Sequence, residues 1–127
     1  LGDYDKAMEY NKKCLEIQKE IGDKFGIIKT YNNMGIIYDY IGNNKKAIEY
    51  YELTVKLSKE VGYKEGIGNG HMNIALIYYD LGDMDKALIN ITKSLETTAE
   101  IKAIDKRLVA EETTRNSIDF FQLHNKV

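Results

Sequence analysis

The chain has 127 residues, 43% apolar and 30% charged, with 18 Lys plus Arg against 20 Asp plus Glu and a net charge of -2. That is material for one soluble globular unit, and it is too balanced for a dedicated nucleic-acid binder, since only Arg107 and Arg115 among its bases carry a guanidinium. The lone Cys14, two histidines and the lack of any apolar run near 20 residues argue against an internal disulfide, a structural zinc site and a membrane helix.

The sequence starts at Leu1 rather than Met, and no signal-like segment follows, so a piece of a longer, cytoplasmic polypeptide is expected. There is no Pro, which leaves the whole length free to be helical. Leu1-Gly2-Asp3, Ile41-Gly42-Asn43 and Leu81-Gly82-Asp83 open three stretches spaced 40 apart, and Lys6-Ala7, Lys46-Ala47 and Lys86-Ala87 keep the same interval. Residues 1–40 and 41–80 share 14 identities, far above chance, so the repeat is real.

Within residues 1–21, Ala7, Tyr10, Cys14, Ile17 and Ile21 mark a helical stripe, matched by Ala47, Tyr50, Thr54, Leu57 and Val61 one unit later. Residues 22–61 add a helix striped by Ile27, Tyr31, Met34 and Tyr38, and residues 62–101 repeat it with Ile67, His71, Ile74 and Tyr78. Gly42 and Gly82 suit the left-handed residue that ends a helix, and Asn43 and Asp83 suit the cap that starts the next. Past Ile101 the register slips by two residues. Ser117 to Phe120, then Leu123 and Asn125, line up with Gly35 to Tyr38, Ile41 and Asn43. Residues 102–127 are therefore expected to hold a degenerate repeat helix, or else a capping or connecting helix, for about six helices in all.

Met34-Gly35-x-x-Tyr38, then Gly42, Ala47 and Tyr51, resemble the tetratricopeptide repeat, and Ile74-Ala75-x-x-Tyr78, Gly82, Ala87 and Ile91 form a second copy. The period of 40 exceeds the usual one, Tyr31 and His71 stand at the usual Trp position, and Lys59 replaces the closing Pro. The longer unit is similar to that of kinesin light chains, Leu-Gly-Asn repeat adaptors and many microbial signalling proteins. HEAT repeats of like length lack the Gly-x-x-Tyr…Ala spacing. The resemblance implies an all-α superhelical solenoid of antiparallel helix pairs that binds protein segments without catalysis. Ala7, Ala47 and Ala87, then Cys14, Thr54 and Ser94, are the small residues that let helices approach.

Candidates for chemistry are few. Cys14 aligns with Thr54 and Ser94 and reads as a packing residue, and His71 takes the place of Tyr31; His124 has no partner by pattern. Gly66-Ile67-Gly68-Asn69-Gly70 looks like a phosphate loop but follows no strand, so no nucleotide, metal or other cofactor is expected. In resembling repeats, an asparagine at the place of Asn33 and Asn73 faces the concave surface. There its amide can donate to and accept from a bound peptide backbone. Lys29, Asn32, Ile36 and Tyr40, with Asn69, Met72, Leu76, Tyr79 and Asp80, are the expected neighbours. Arg115 replaces the asparagine in the degenerate copy, and Ile36 and Leu76 leave no lysine clamp for a terminal carboxylate. A protein or peptide partner is implied, with no nucleic acid and no membrane. Apolar surface left at the two ends of the stack leads to an expectation of self-association.

Overall fold

The computed structural model describes residues 3–124, apart from the side chains of Phe120, Phe121, Leu123 and His124. Five helices follow one another: α1 (Tyr4–Ile21), α2 (Lys24–Tyr40), α3 (Asn44–Val61), α4 (Lys64–Asp80) and α5 (Met84–His124). No strand occurs among the described residues.

The turns repeat one device. Gly22, Gly42, Gly62 and Gly82 all take φ between 71° and 78°, where a side chain would be strained. At Gly42 its N–H donates to the Asp39 carbonyl at 2.9 Å, and the Asn43 N–H donates to the Tyr38 carbonyl at 2.8 Å. Two carbonyls at the end of α2 are thereby satisfied. The Asn43 side chain then accepts from the Lys46 N–H at 3.2 Å, and Asp83 does the same for Lys86 at 3.1 Å. The helix stops and starts fall where the Gly-Asn and Gly-Asp pairs put them.

The expected sixth helix is not separate. α5 runs for 41 residues, because no Gly or Pro follows Gly82 and Ala99 to Lys106 holds no residue that disfavours helix strongly. The described side chains from Lys102 to Asp119 are all exposed, so roughly 30 Å of this helix stands clear of the stack. The Leu123 and Asn125 end of the two-residue register slip lies outside the described side chains.

Each helix packs on the next in the chain, and α2 also approaches α4, whereas the backbones of α1, α3 and α5 stay farther from one another among the described residues. The array therefore bends, with α2 and α4 inside. One core cluster joins Ala47, Tyr51, Ile74 and Ile77 across α3 and α4, and another joins Met8, Met34 and Ile37 across α1 and α2. Ala47 and Ala87 are 0% and 2% exposed, at the crossings where small groups were expected. The stripe read on α1 is only half right. Ala7 and Cys14 are partly buried, but Tyr10, Ile17 and Ile21 are exposed and Met8 is buried instead. In α3 the counterpart Tyr50 rests on Tyr31 and Tyr38 of the preceding helix, and no described helix takes that place beside α1.

Large and small groups interlock at the inner crossings. A methyl on Gly35 would lie 2.6 Å from Cε1 of Tyr51, and one on Gly70 would lie 2.5 Å from Cγ2 of Val55. Forty residues after Gly35 and Tyr51 stand Ala75 and Ile91, a larger residue matched to a smaller one. Gly35→Ala is expected to lower stability by about 1–3 kcal/mol in chemical denaturation through overpacking. Tyr51→Ile should cost less in the Gly35→Ala background than in the parent, and strictly additive losses would contradict this pairing.

Candidate ligand groove

The inner face is built by helical spacing. Lys29, Asn32, Asn33, Ile36 and Tyr40 fall three or four residues apart along α2, as do Asn69, Met72, Asn73, Leu76 and Asp80 along α4. Tyr79 lies at the edge of the α4 stripe. Lys29, Asn33, Tyr40, Asn69, Leu76, Tyr79 and Asp80 are exposed, while Asn32, Ile36, Met72 and Asn73 are half-buried.

Four of these residues meet in one cleft. Lys29, Asn32, Asn33 and Asn69 line a cavity of about 300 Å³ between α2 and α4, together with Thr54, Tyr63 and Gly66. The next turn is tied to it by a bond across the helices: Asn73 Nδ2 donates to Asn32 Oδ1 at 3.1 Å. Asn73 thus supports the cleft through Asn32, leaving Asn33 and Asn69 as its exposed amides. Tyr40 belongs elsewhere, stacked on Tyr4 of α1 with ring centroids 6.2 Å apart. Ile36 packs on the core cluster around Tyr51. The contributions of Thr54, Tyr63 and Gly66 were not singled out in the sequence. The glycines of 66–70, read there only against a phosphate loop, leave this end of α4 without bulky groups.

The inner face is polarised along the helix axes. Lys29 sits toward the start of α2 and Asp39 and Asp80 at the ends of α2 and α4. Burial, and then the nearby Asp80 charge, raise Asp39 above its ordinary value. Burial pushes the Tyr51 hydroxyl up to about 12, with the Asp39 charge adding to it, so this core tyrosine stays neutral.

The residues weighed for chemistry, Cys14 and His71, both sit against the packed interior. Cys14 is half-buried at the place that Thr54 and Ser94 fill in the core. His71 is buried, with Nδ1 3.1 Å from Asn90 Oδ1. Asn90 donates from Nδ2 to the Lys86 carbonyl, so its oxygen is the acceptor and His71 Nδ1 carries the proton. No group of three or more His, Cys, Asp or Glu able to hold a metal occurs among the described residues. No described helix is long and apolar enough to cross a membrane.

A bent array of antiparallel helix pairs with an amide-lined inner face is a helical repeat solenoid. Profiles described as tetratricopeptide repeat match residues 1–60 and 69–100, most of the chain between them, and the chain belongs to the tetratricopeptide-repeat family. It is similar to the crystal structure of BtubC (BKLC) from P. vanneervenii, at 28% identity and a TM-score of 0.71. The likeness covers 80% of this chain and 41% of that one, so the chain spans less than half the length of that protein. A comparison with curated proteins gives no match.

His71 carries a pH signature. Burial lowers its pKa most, the Asn90 hydrogen bond opposes this, and the charges of Lys93 and Lys59 lower it further. The unfolded chain therefore binds a proton more readily than the folded one. The stability contributed by neutral His71 is complete above the unfolded value of about 6.5 and falls as pH drops from there toward the folded pKa. His71→Gln should flatten that part of the stability curve in denaturant titrations between pH 5 and about 7; an unchanged slope would assign it to other groups.

Proposed function

We infer that this chain is a non-enzymatic scaffold holding an extended peptide segment of a partner protein along the inner face of α2 and α4. Tetratricopeptide repeats mediate protein–protein interaction, and the observation that supports a peptide here is the set of amides at 32, 33, 69 and 73. Asn73 and Asn32 are fixed to each other, which holds the two inner helices in register. Asn33 and Asn69 remain free to bond N–H and C=O groups of an incoming backbone, an exchange suited to reading chain rather than side chain. Lys29 at one end and Asp39 with Asp80 at the other give the segment a preferred direction. The apolar part of this face is small, so affinity from this chain alone is about micromolar or weaker.

A peptide library displayed on phage and selected against the chain supplies the probe. Asn33→Ala with Asn69→Ala is expected to weaken the selected peptide at least tenfold in calorimetry while leaving Tm nearly unchanged, because both side chains are exposed. Unaltered affinity would remove the groove assignment.

A second reading rests on α5. A helix that continues far beyond the stack suits a regulatory or oligomerising segment of a larger microbial signal-transduction protein, and exposed apolar residues flank both ends. Tyr10, Ile17 and Ile21 stand on α1, and Leu88 and Leu95 on α5, at the positions where α3 is covered by its neighbours through Tyr50, Leu57, Val61, Ile48 and Val55. Under this reading the chain self-associates through those ends, and sedimentation should give a mass that rises with concentration. A strictly monomeric mass at millimolar chain would sink it.

A further inference from the structure

A second groove lies on the opposite face, between α3 and α5 with α4 as its floor, and encloses about 420 Å³. The repeat itself supplies the comparison that gives this groove meaning. In the preceding unit, Tyr50 fills the matching place, stacked on Tyr38 with centroids 5.5 Å apart and tilted against Tyr31 at 6.0 Å. Forty residues on, Tyr31 becomes His71 and Tyr50 becomes Asn90, while Tyr38 is kept as Tyr78. The aromatic plug is gone, and the smaller pair is held together by the His71–Asn90 hydrogen bond.

The rim changes with it. Glu16 of the earlier unit becomes Lys56, Leu53 becomes Lys93, and Lys19 and Lys46 remain as Lys59 and Lys86. Lys56, Lys59, Lys86 and Lys93 thus line the opened cavity against one acidic residue, Glu52. Lys86 is committed to Asp83 at 3.0 Å and lies 5.2 Å over the Tyr78 ring. Lys56, Lys59 and Lys93 have no ion-pair partner among the described residues. Such a cluster repels itself and is relieved by a compact anion of high charge. Lysines act as point charges that impose no planar geometry on an anion, so the ligand of highest charge, a phosphate dianion, gains most from them. The cavity is larger than one phosphate, and Val55, Ile74 and Ile89 in its lining suit an uncharged carrier group.

We propose that the groove between α3 and α5 binds a phosphate monoester, held by Lys56, Lys59 and Lys93 above His71 and Asn90, with its carrier group against Val55, Ile74 and Tyr78. The site is separate from the inner-face groove and does not depend on it. The monoester is carried by a small molecule or by a phosphorylated side chain, and the two sources are separated by the probe.

Calorimetry on the chain with phenyl phosphate, a phosphoserine peptide, the same peptide with Glu at that position, and inorganic sulfate tests the assignment. Saturable one-site binding of a monoester is expected, at least tenfold tighter than sulfate or the Glu peptide. Preference for the phosphopeptide over phenyl phosphate by tenfold or more assigns the carrier to a protein, and the reverse or equality to a small molecule. Lys56→Glu with Lys93→Leu, which restores the residue types of the preceding unit, should reduce the monoester affinity at least tenfold with Tm unchanged. Lys106→Glu with Lys102→Leu, a charge-matched pair on the exposed part of α5, should leave it intact. No monoester binding at millimolar concentration, equal binding of the Glu peptide, or equal loss in both variants would overturn the proposal.

Discussion

The architecture depends on how closely two helix backbones can approach. Where Gly35 meets Tyr51 and Gly70 meets Val55, there is no space for a further carbon, and Ala47 of α3 and Ala87 of α5 are sealed in the same way. Burial of this kind couples one helix pair to the next, because no pair has enough apolar surface of its own to form a core. The order of the helices then follows from the chain. Short glycine turns force neighbours to be antiparallel, and among the described residues the backbones of α2 and α4 approach while those of α3 and α5 stay apart, which sets the direction of bending. The amide-lined face follows from that curvature, whereas the groove between α3 and α5 follows from the loss of the aromatic plug that Tyr50 supplies one unit earlier.

Most of the fold was legible from residue types at fixed intervals. Glycine at 42 and 82 followed by Asn or Asp specifies a left-handed stop and a side-chain start, and both occur as read. Small residues at 47, 87, 54 and 94 were legible as core for the same reason, since a size constraint survives when other identities drift. Two readings failed where local pattern and neighbourhood part company. Tyr10, Ile17 and Ile21 have the right spacing for burial, but a stripe records only a preference, and nothing described covers it. The break anticipated near residue 102 rested on a faint alignment, whereas the stretch from Ala99 to Lys106 offers the backbone no reason to stop.

The candidate inner-face groove was legible by position and less so by interaction. The family resemblance implied an inner-face place for Asn33 and Asn73, spacing extended it to their neighbours, and the structure gathers Lys29, Asn32, Asn33 and Asn69 in one cleft. That Asn73 would turn toward Asn32 depends on the distance between two helices, which no interval in the sequence encodes. Likewise the alignment placed His71 at the position of Tyr31, and it is buried there, but the space around it depends on the simultaneous loss of Tyr50 at position 90. Equivalent positions on different helices have to be compared together before a vacancy of that kind becomes visible.

The unsupported length of α5 has a mechanical consequence. A continuous helix resists bending over its whole span, so the exposed part of α5 behaves as a lever arm fixed where α5 packs on α4. With about 30 Å beyond the fulcrum, tilting that pair by roughly 10° sweeps the tip through about 5 Å. Small adjustments in the superhelix are thereby magnified along the exposed part of α5.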